Sequence, residues 1–585
     1  MAIPMISRST LGLLAVLALY LSQTALYAFF TPVWESPDEP SHYLYTAYLA
    51  RYARPPNPSP TQMSGQFYEG GYVTSMYEWY HPALGYVWQA IALRTIALVD
   101  ASLLPTQFPP INPLFARQPV QNAHLFLPER IAPSTLPHSE VGLLVLRWAS
   151  ALLGVPLIWA AYRAARIVMP DSTGFALAVA GLAAFVPQFD FISATIRNDT
   201  ANNLMSALCI LLLLRVITAP STHSGRLALG SGGLLGIALL TKTTTFFLLP
   251  AAMLAFWLAP YSRAQRAKMI AYASIALAIV VGAYLLRYVE ARRALEYSFA
   301  QAAIQPEKLT RAYFLSILPM LRDLFWARFG WANVTVPDAW LAWATMLGLA
   351  GIAITLVRGL YEWRTRRGSS IELRQLLLLG TTALLNLALV FRYNLYDFQP
   401  QGRFLFPSLV PLGILALWGT WRTLGTRSRT MLGSASVGAM FAFTFLSLTT
   451  TLIPRYYAAT LPAAFQQIAD SPIQRDPNGT VLGQTFTSRY PNLSGIEVML
   501  TARQAVTLTL SLREGAPGGR EQGHSTITLQ PAEKPTRYVF SFIPIADSAN
   551  KSFYFFIQPA PLAQVTFWGT SQSDPYFFAF ASLGD

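Results

Sequence analysis

The chain has little charge and almost no cysteine. Only 12% of its 585 residues are Asp, Glu, Lys or Arg, about half the share that soluble domains carry. Cys209 is the single cysteine and stands in an apolar run, which excludes an intrachain disulfide and a thiolate metal site. Low charge combined with 53% hydrophobic residues excludes an ordinary soluble protein and indicates a polytopic α-helical membrane protein.

Acidic residues are scarcer than basic ones, 28 against 42, which gives a formal net charge of +14. Such an excess is also found in nucleic-acid-binding proteins. Here, however, the basic residues stand in short loops between apolar runs, the distribution that the positive-inside rule produces. We therefore predict no nucleic-acid partner and use the basic loops to assign the two sides of the membrane.

Apolar runs recur from the N-terminus to about residue 453. The first run is too long for the apolar region of a signal peptide, so we interpret it as a retained membrane helix. About eleven spans are predicted, and that number places the N-terminus and all basic loops in the cytoplasm. The predicted spans are 9–31, 140–168, 174–195, 201–219, 227–241, 243–259, 269–289, 338–358, 371–391, 404–421 and 430–453.

The segment 81–98, HPALGYVWQAIALRTIAL, is apolar but does not fit this count. If it crossed the membrane alone, every later basic loop would face outward. We predict that it is an interfacial helix in the first outer loop or one half of a re-entrant pair. The large outer loops are then 32–139 and 290–337.

The tail changes character after residue 453. Runs such as AVTLTLSL, STITLQ and SFYFFIQ alternate in polarity and are separated by Gly, Pro and Asn turns, which is typical of β-strands. We predict two domains, a membrane domain over 1–453 and an exoplasmic β-sandwich over 454–585. The protein is predicted to lie in the inner membrane with its C-terminal domain outside.

Polar residues at the predicted outer ends of the spans need an explanation, because an ionisable group in a membrane costs a few kcal/mol unless it pairs or faces water. Carboxylates beside cations at a membrane surface suit a substrate with an anionic lipid head and a hydroxyl to be deprotonated. Arg and Lys would hold the phosphate, where negative charge grows as the leaving group departs. The candidates are Asp38, Glu39, His42, His81, Asn198, Asp199, Lys242 and Arg403.

Each candidate also has a structural interpretation. Asp38 and Glu39 fit the start of a helix with Ser36 as its N-cap and Pro37 at its first position. Asp199 fits a helix cap, Lys242 a side chain that reaches for the interface, Arg403 a flanking anchor, and the two histidines ordinary packing. The aromatic stretch FWARFGWANV, from Phe325 to Val334, fits an interfacial belt better than a sugar-stacking surface.

Five motifs occur in one order: SPDEPSHYLY, HPALGY, NDTANNL, LTK before an apolar run, and QGRFLFP. Together they resemble the GT-C membrane glycosyltransferases, over roughly residues 1–450, in particular a bacterial branch with a PDE-x-x-H signature related to aminoarabinose transferases and protein O-mannosyltransferases. HPAL replaces the more usual PPL of that family. The tail segment LGQTFTSRYPNLSGIEVML also resembles carbohydrate-binding-like β-sandwiches attached to such enzymes.

The resemblance implies a polyprenyl-phosphate sugar donor and a glycan, lipid or protein acceptor on the outer face. It assigns Asp38 as the general base, with Glu39 as its alternate or partner. Lys242 and Arg403 would hold the lipid phosphate, Asp199 and Asn198 would shape a substrate pocket, and His81 and His42 are further substrate-binding candidates. We predict no required cofactor; a divalent metal on Asp38, Glu39 and His42 is a weaker alternative.

Two other classes of function fit the same features. A lipid-linked sugar flippase or transporter would use the charges to line a path, although no internal repeat is evident and the carboxylates cluster at one face. A non-catalytic accessory subunit would use only the β-sandwich, to bind glycan or a partner protein.

Overall fold

The computed structural model describes residues 7–57, 75–115, 122–219, 221–300, 304–366, 368–458, 460–473, 482–558, 565–570 and 575–582. Parts of the predicted outer loop 32–139 lie outside the described residues. The chain divides into two compact units. The first comprises Met1–Phe108 and Leu136–Leu452, and the second comprises Pro109–Thr135 and Ile453–Asp585.

Membrane-length helices dominate the first unit. Within the described ranges, nine helices are long and apolar enough to cross a membrane. They are Arg8–Phe30, His138–Val168, Asp199–Thr218, Ser224–Thr241, Arg263–Arg287, Asp338–Arg364, Ser370–Asn394, Gly402–Thr423 and Thr426–Tyr457. The prediction of a polytopic helical membrane protein is confirmed.

The helix count falls slightly short of the predicted eleven because two spans are broken or short. Thr173–Ala184 and Pro187–Ser193 are apolar enough together but are bent by 62° at the break between them, as in a broken span or a re-entrant loop. Pro187 is the first residue of the second helix, and a proline there cannot continue the hydrogen bonds of the first. The segment Thr243–Leu258, predicted as a span, is a shorter apolar helix that begins with a 3₁₀ turn. Ala83–Val99 is also a shorter apolar helix, and it too begins with a 3₁₀ turn.

The remaining helices of this unit connect or flank the spans. The long span His138–Val168 itself contains the helices Val141–Leu152 and Gly154–Val168. The others are Glu39–Tyr52, Val87–Val99, Leu248–Leu258, Val289–Ala300 and Arg311–Trp326. A small antiparallel hairpin pairs Arg328–Phe329 with Val334–Thr335.

The second unit is a β-sandwich of two antiparallel sheets, as predicted for the tail. One sheet has the strand order Leu482–Thr487, Ser552–Gln558, Val506–Glu514, Glu521–Leu529. The other has the order Thr460–Gln466, Phe577–Ser582, Leu493–Ala502, Val565–Gly569, Ser471–Pro472, with Ala532–Ile545 also paired to Leu493–Ala502. Rings from both sheets meet between them, such as Phe555 and Phe577 at 5.4 Å between centroids.

Pro109–Thr135 belongs to this second unit, although the sequence placed all of 32–139 in the membrane domain. The reason is a set of specific contacts within the unit. Leu114 packs against Tyr576, Phe578 and Phe580. Tyr490 donates its hydroxyl to the carbonyl of Pro128 at 3.0 Å, so the loop contributes directly to the core of the sandwich.

Candidate functional site

The site begins where the first helix ends. The next helix starts at Glu39, and its N-cap is Asp38, whose φ of 66° lies in the left-handed region. The prediction of Ser36 as cap and Pro37 as first helical residue is therefore wrong. Because Asp38 makes no side-chain cap bond, its carboxylate is left to face other partners. Left-handed backbone is uncommon outside glycine, although Asp adopts it more readily than most residues.

Asp38 and Arg403 form an ion pair across the first unit. The Nη2 atom of Arg403 lies 2.7 Å from Oδ2 of Asp38, and the hydroxyl of Tyr77 donates to Oδ1 at 2.8 Å. The Asp38 side chain is 19% exposed, whereas that of Arg403 is only 6% exposed. Two further donors of Arg403, Nε and Nη1, are buried without a hydrogen-bond partner.

Glu39 is held differently from its neighbour. Its two oxygens accept hydrogen bonds from Nε and Nη2 of Arg147 at 2.8 and 2.6 Å, and Oε1 also accepts from the backbone amide of Ile196. Both members of this pair are almost fully buried. A carboxylate engaged in this way is suited to joining helices, and it is poorly placed to take a proton from a substrate.

Asp199 and Lys242 also meet, at 2.6 Å between Oδ1 and Nζ. Arg197 contacts the other oxygen of Asp199 at 3.4 Å, and it also donates to Oγ of Ser36 and to the carbonyl of Pro37. The alternative in which Asp199 only caps its helix is wrong, because its carboxylate carries two cations. Lys242 is likewise buried, with its ammonium against Asp199.

The two histidines stand beside Asp38 with a third carboxylate. Their rings lie 6.4 Å apart between centroids, and Nε2 of His81 is 2.6 Å from Oε2 of Glu78. Burial lowers the pKa of His42 to about 3, so this ring is neutral at physiological pH. Burial alone would raise the pKa of Glu78, but the neighbouring His81 and Lys242 outweigh it and hold that pKa below its usual value.

The predicted candidates therefore converge. Lys242 and Arg403 both lie against the ring of Phe404, at 5.6 and 5.5 Å from its centroid. Asn198 lies next to Asp199 in the chain, and both atoms of its side-chain amide are buried without a hydrogen-bond partner. The cluster lies beyond the Phe30 end of the first helix, opposite Arg8.

Sequence reasoning missed several residues of this cluster, namely Tyr77, Glu78, Arg147 and Arg197. A signal for Arg147 was present, since an arginine in the middle of the apolar stretch VGLLVLRWASAL needs a buried partner. Arg197 immediately precedes the NDTANNL motif. Nothing in the local sequence marked Tyr77 or Glu78 as neighbours of Asp38 and His42, because these contacts join segments far apart in the chain.

The aromatic stretch Phe325–Val334 differs from the predicted interfacial belt. Phe325 and Trp326 end the helix Arg311–Trp326, and the rest of the stretch lies in the hairpin described above, in which Phe329 and Val334 are buried inside the protein. The indole of Trp331 donates to the carbonyl of Trp34 at 3.0 Å. The hairpin therefore supports the segment that leads into Asp38.

The arrangement combines one partly exposed carboxylate with buried cations on several sides. It can accept a proton at Asp38 and stabilise negative charge beside Arg403. One group of side chains could also hold a metal ion: Asp38, His42 and Glu78 each offer a ligand atom, and these atoms lie within 4.8 Å of one another.

Residues 139–286 match a family model described as dolichyl-phosphate-mannose-protein mannosyltransferase. This stretch is about a quarter of the chain and contains Arg147, Arg197, Asp199 and Lys242. The resemblance to the GT-C glycosyltransferases is confirmed. No curated protein matches the chain.

Solved GT-C structures also resemble the chain at low identity. ArnT from Cupriavidus metallidurans in the apo state is 14% identical, with a TM-score of 0.42 over 74% of this chain and 64% of its own. The same protein bound to undecaprenyl phosphate is 12% identical, with a TM-score of 0.39 over 73% and 63%. The arabinosyltransferase EmbB from Mycobacterium smegmatis is 11% identical, with a TM-score of 0.42 over 100% and 65%. The chain thus spans a little under two thirds of each of these proteins.

Proposed function

We propose that this chain is a membrane glycosyltransferase that moves a sugar from a polyprenyl-phosphate carrier to an acceptor hydroxyl outside the cytoplasm. The observation that carries the proposal is the 2.7 Å contact between Asp38 and Arg403. It puts a partly exposed carboxylate next to a buried guanidinium. Sugar transfer needs both, a base at the acceptor hydroxyl and a cation at the departing phosphate.

In the proposed reaction, the acceptor oxygen attacks the anomeric carbon while the bond from that carbon to the phosphate oxygen breaks. The hydroxyl proton passes to Asp38, and the electron pair of the broken bond remains on the phosphate. Arg403 and Lys242 stabilise the charge that grows there. The GT-C resemblance implies inversion at the anomeric carbon.

The remaining candidates would hold these groups or the substrates. Arg403 keeps two buried donors without a partner, which a phosphate oxygen would satisfy. Asp199 fixes the ammonium of Lys242, and the unpartnered amide of Asn198 would bind a sugar hydroxyl. Glu39 would position the helix Glu39–Tyr52 through Arg147 and would not transfer a proton. His42 and His81 would line the acceptor side of Asp38.

The experiment measures transfer from synthetic polyprenyl-phosphate sugars by the full chain in nanodiscs. Asp38→Asn keeps the size of the side chain but removes the base, and we expect turnover to fall by about 100-fold or more. Asp547→Asn is the matched control, because it makes the same change at an exposed ion pair on the β-sandwich. Arg403→Lys, which keeps the charge but loses the forked donors, should lower turnover less than Arg403→Ala.

Turnover that survives Asp38→Asn, with an unchanged melting temperature, would remove Asp38 as the base. Movement of the carrier lipid between leaflets without sugar transfer would favour the transporter. Glycan binding by the parent chain without turnover on any donor would favour the accessory subunit.

A further inference from the structure

A carboxylate outside the candidate site is buried in an apolar helix without a basic partner. Asp190 lies in the helix Pro187–Ser193, and its side chain is fully buried. Its Oδ1 accepts from the hydroxyl of Thr24 at 3.3 Å, whereas Oδ2 has no hydrogen-bond partner among the described residues. No lysine, arginine or histidine in the described part of the chain pairs with it. An ionisable group in such a helix is costly unless it is paired, so Asp190 needs a partner.

Three hydroxyl groups lie around this carboxylate. Ser193 stands three residues after Asp190 on the same face of the helix, and its Oγ is buried without a hydrogen-bond partner in the described ranges. The hydroxyl of Tyr20 lies near Thr24, Ser193 and Asp190. Because this hydroxyl donates its proton to the carbonyl of Ala151 at 3.0 Å, its lone pairs remain available as ligands.

The distance between Asp190 and Thr24 suits two ligands of one ion better than a direct hydrogen bond. A hydrogen bond between hydroxyl and carboxylate is usually about 2.7–2.8 Å long. Ca²⁺, which is nearly the size of Na⁺, binds oxygens at about 2.3–2.6 Å, so neighbouring ligands at right angles lie roughly 3.3–3.7 Å apart. The observed 3.3 Å falls at the lower end of that range. A single carboxylate balances one positive charge, which favours a monovalent ion over a divalent one.

The break in the chain before Asp190 supports the same conclusion. The helix Thr173–Ala184 ends before Pro187–Ser193, and the two are bent by 62°. In transporters, Na⁺ sites form where a membrane helix is interrupted in this way. A proton would also neutralise Asp190, but it occupies a single oxygen. The convergence of three hydroxyl groups on the carboxylate therefore favours a cation, which engages several oxygens at once.

We propose that Asp190, Thr24, Ser193 and Tyr20 form a binding site for a monovalent cation, with Na⁺ as the ion whose size fits. This inference goes beyond the proposed sugar transfer and does not depend on it. The ion would join two parts of the helical unit, because Tyr20 and Thr24 belong to the first helix and the other two residues to Pro187–Ser193.

The position of the site gives the ion a structural role for the candidate functional site. The first helix leads to Asp38, and the helix Pro187–Ser193 leads to Arg197 and Asp199. A cation held between these two helices would therefore fix the segments that carry these three residues relative to one another.

The first test measures binding of radioactive ²²Na⁺ to the full chain in nanodiscs, in choline buffer and without any sugar donor. We expect one ion per chain, displaced by unlabelled Na⁺ at lower concentration than by K⁺. Binding should be lost in Asp190→Asn and about tenfold or more weaker in Ser193→Ala. Ser231→Ala is the matched control, because Ser231 is also a buried serine without a hydrogen-bond partner among the described residues.

The melting temperature gives a second readout that does not use the isotope. Saturating Na⁺ should raise that of the parent chain by about 2 °C or more relative to choline, because the ion binds only the folded chain. Asp190→Asn should melt at the same temperature in both salts, and in choline no lower than the parent, since an amide needs no cation. Asp323→Asn should keep the Na⁺ shift, because Asp323 already pairs with Arg322 at 2.7 Å.

Two results would overturn the cation site. If the parent chain melts at the same temperature in Na⁺ and in choline, Asp190 is a neutral acid and needs no ion. If ²²Na⁺ binding is unchanged in Asp190→Asn, the ion is bound elsewhere. Because neither measurement contains a sugar donor, failure of the cation site leaves the proposed transferase untouched, and failure of the transferase leaves the cation site untouched.

Discussion

Arg147 uses all five of its N–H donors inside the protein. Besides the two bonds to Glu39, its Nη1 donates to the carbonyls of Ala28 and Thr31 and its Nη2 to that of Pro32. These carbonyls lie at the end of the first helix, where helical partners run out. One side chain therefore joins the first helix, the Glu39–Tyr52 helix and its own.

At this residue scale, we predict that Arg147→Met lowers the free energy of unfolding by about 3 kcal/mol or more, because Glu39 is left buried and charged. Adding Glu39→Gln should recover much of this loss, since the neutral amide no longer needs a cation. Unfolding in mixed detergent micelles measures the parent, the two single variants and the double variant. Equal losses in Arg147→Met and the double variant would contradict a cost that comes from an unpaired charge.

The sequence could identify single charged residues of the candidate site, but it could not identify the residues with which they pair. The sequence marked Asp38, Asp199, Lys242 and Arg403 because charged residues are rare in so apolar a chain. It did not show that Asp38 pairs with Arg403 and Lys242 with Asp199, since each pair joins segments far apart in the chain. The left-handed backbone at Asp38, which aims its carboxylate, also depends on tertiary contacts.

At the scale of secondary-structure elements, the sequence again predicted what is local and missed what depends on packing. The long spans were visible as apolar runs, and the sequence also separated 227–241 from 243–259. The break between Ala184 and Pro187 was not visible, because packing decides where such a helix stops. The segment HPALGY illustrates how packing between remote segments determines local structure. A Cβ atom at Gly85 would lie 2.7 Å from Cβ of Asn198 and 2.7 Å from the carbonyl of Thr241. This glycine lets the 3₁₀ turn Ala83–Tyr86 pack directly against the residues that precede Asp199 and Lys242.

We therefore predict that Gly85→Ala displaces the Asp199–Lys242 pair and lowers the free energy of unfolding by about 1–3 kcal/mol, as overpacking typically does. Sugar transfer should fall with it. Gly233→Ala is the control, because it lies in the helix that ends at Thr241 and a Cβ there meets nothing within 4 Å. Alanine favours a helix, so Gly233→Ala should be neutral or stabilising. A Gly85→Ala variant as stable and active as Gly233→Ala would contradict this packing.

At the scale of the whole molecule, the sequence predicted a helical unit and a β-sandwich. It did not predict which segments of the chain belong to each unit. Pro109–Thr135 leaves the membrane domain and joins the sandwich, through contacts such as that of Leu114 with the last strand. A Pro-rich loop with little periodicity offers no pattern from which to predict this. The predicted direction of the chain through the membrane rests instead on the basic loops, which are spread over the whole helical unit.

We predict that the loop at Arg427 faces the cytoplasm and that the β-sandwich lies outside. Cys209 is buried and the only cysteine, so a Cys209→Ala background allows a single new thiol to be placed at will. Both Arg427→Cys and Ala546→Cys would create an exposed thiol. A membrane-impermeant maleimide should label the Ala546→Cys variant in cells with an intact inner membrane. It should label the Arg427→Cys variant only after the cells are lysed. Equal labelling of the two variants after lysis is the control. The reverse pattern would place Asp38, at the far end of the first helix from Arg8, in the cytoplasm, and the donor would then have to be a lipid of the inner leaflet.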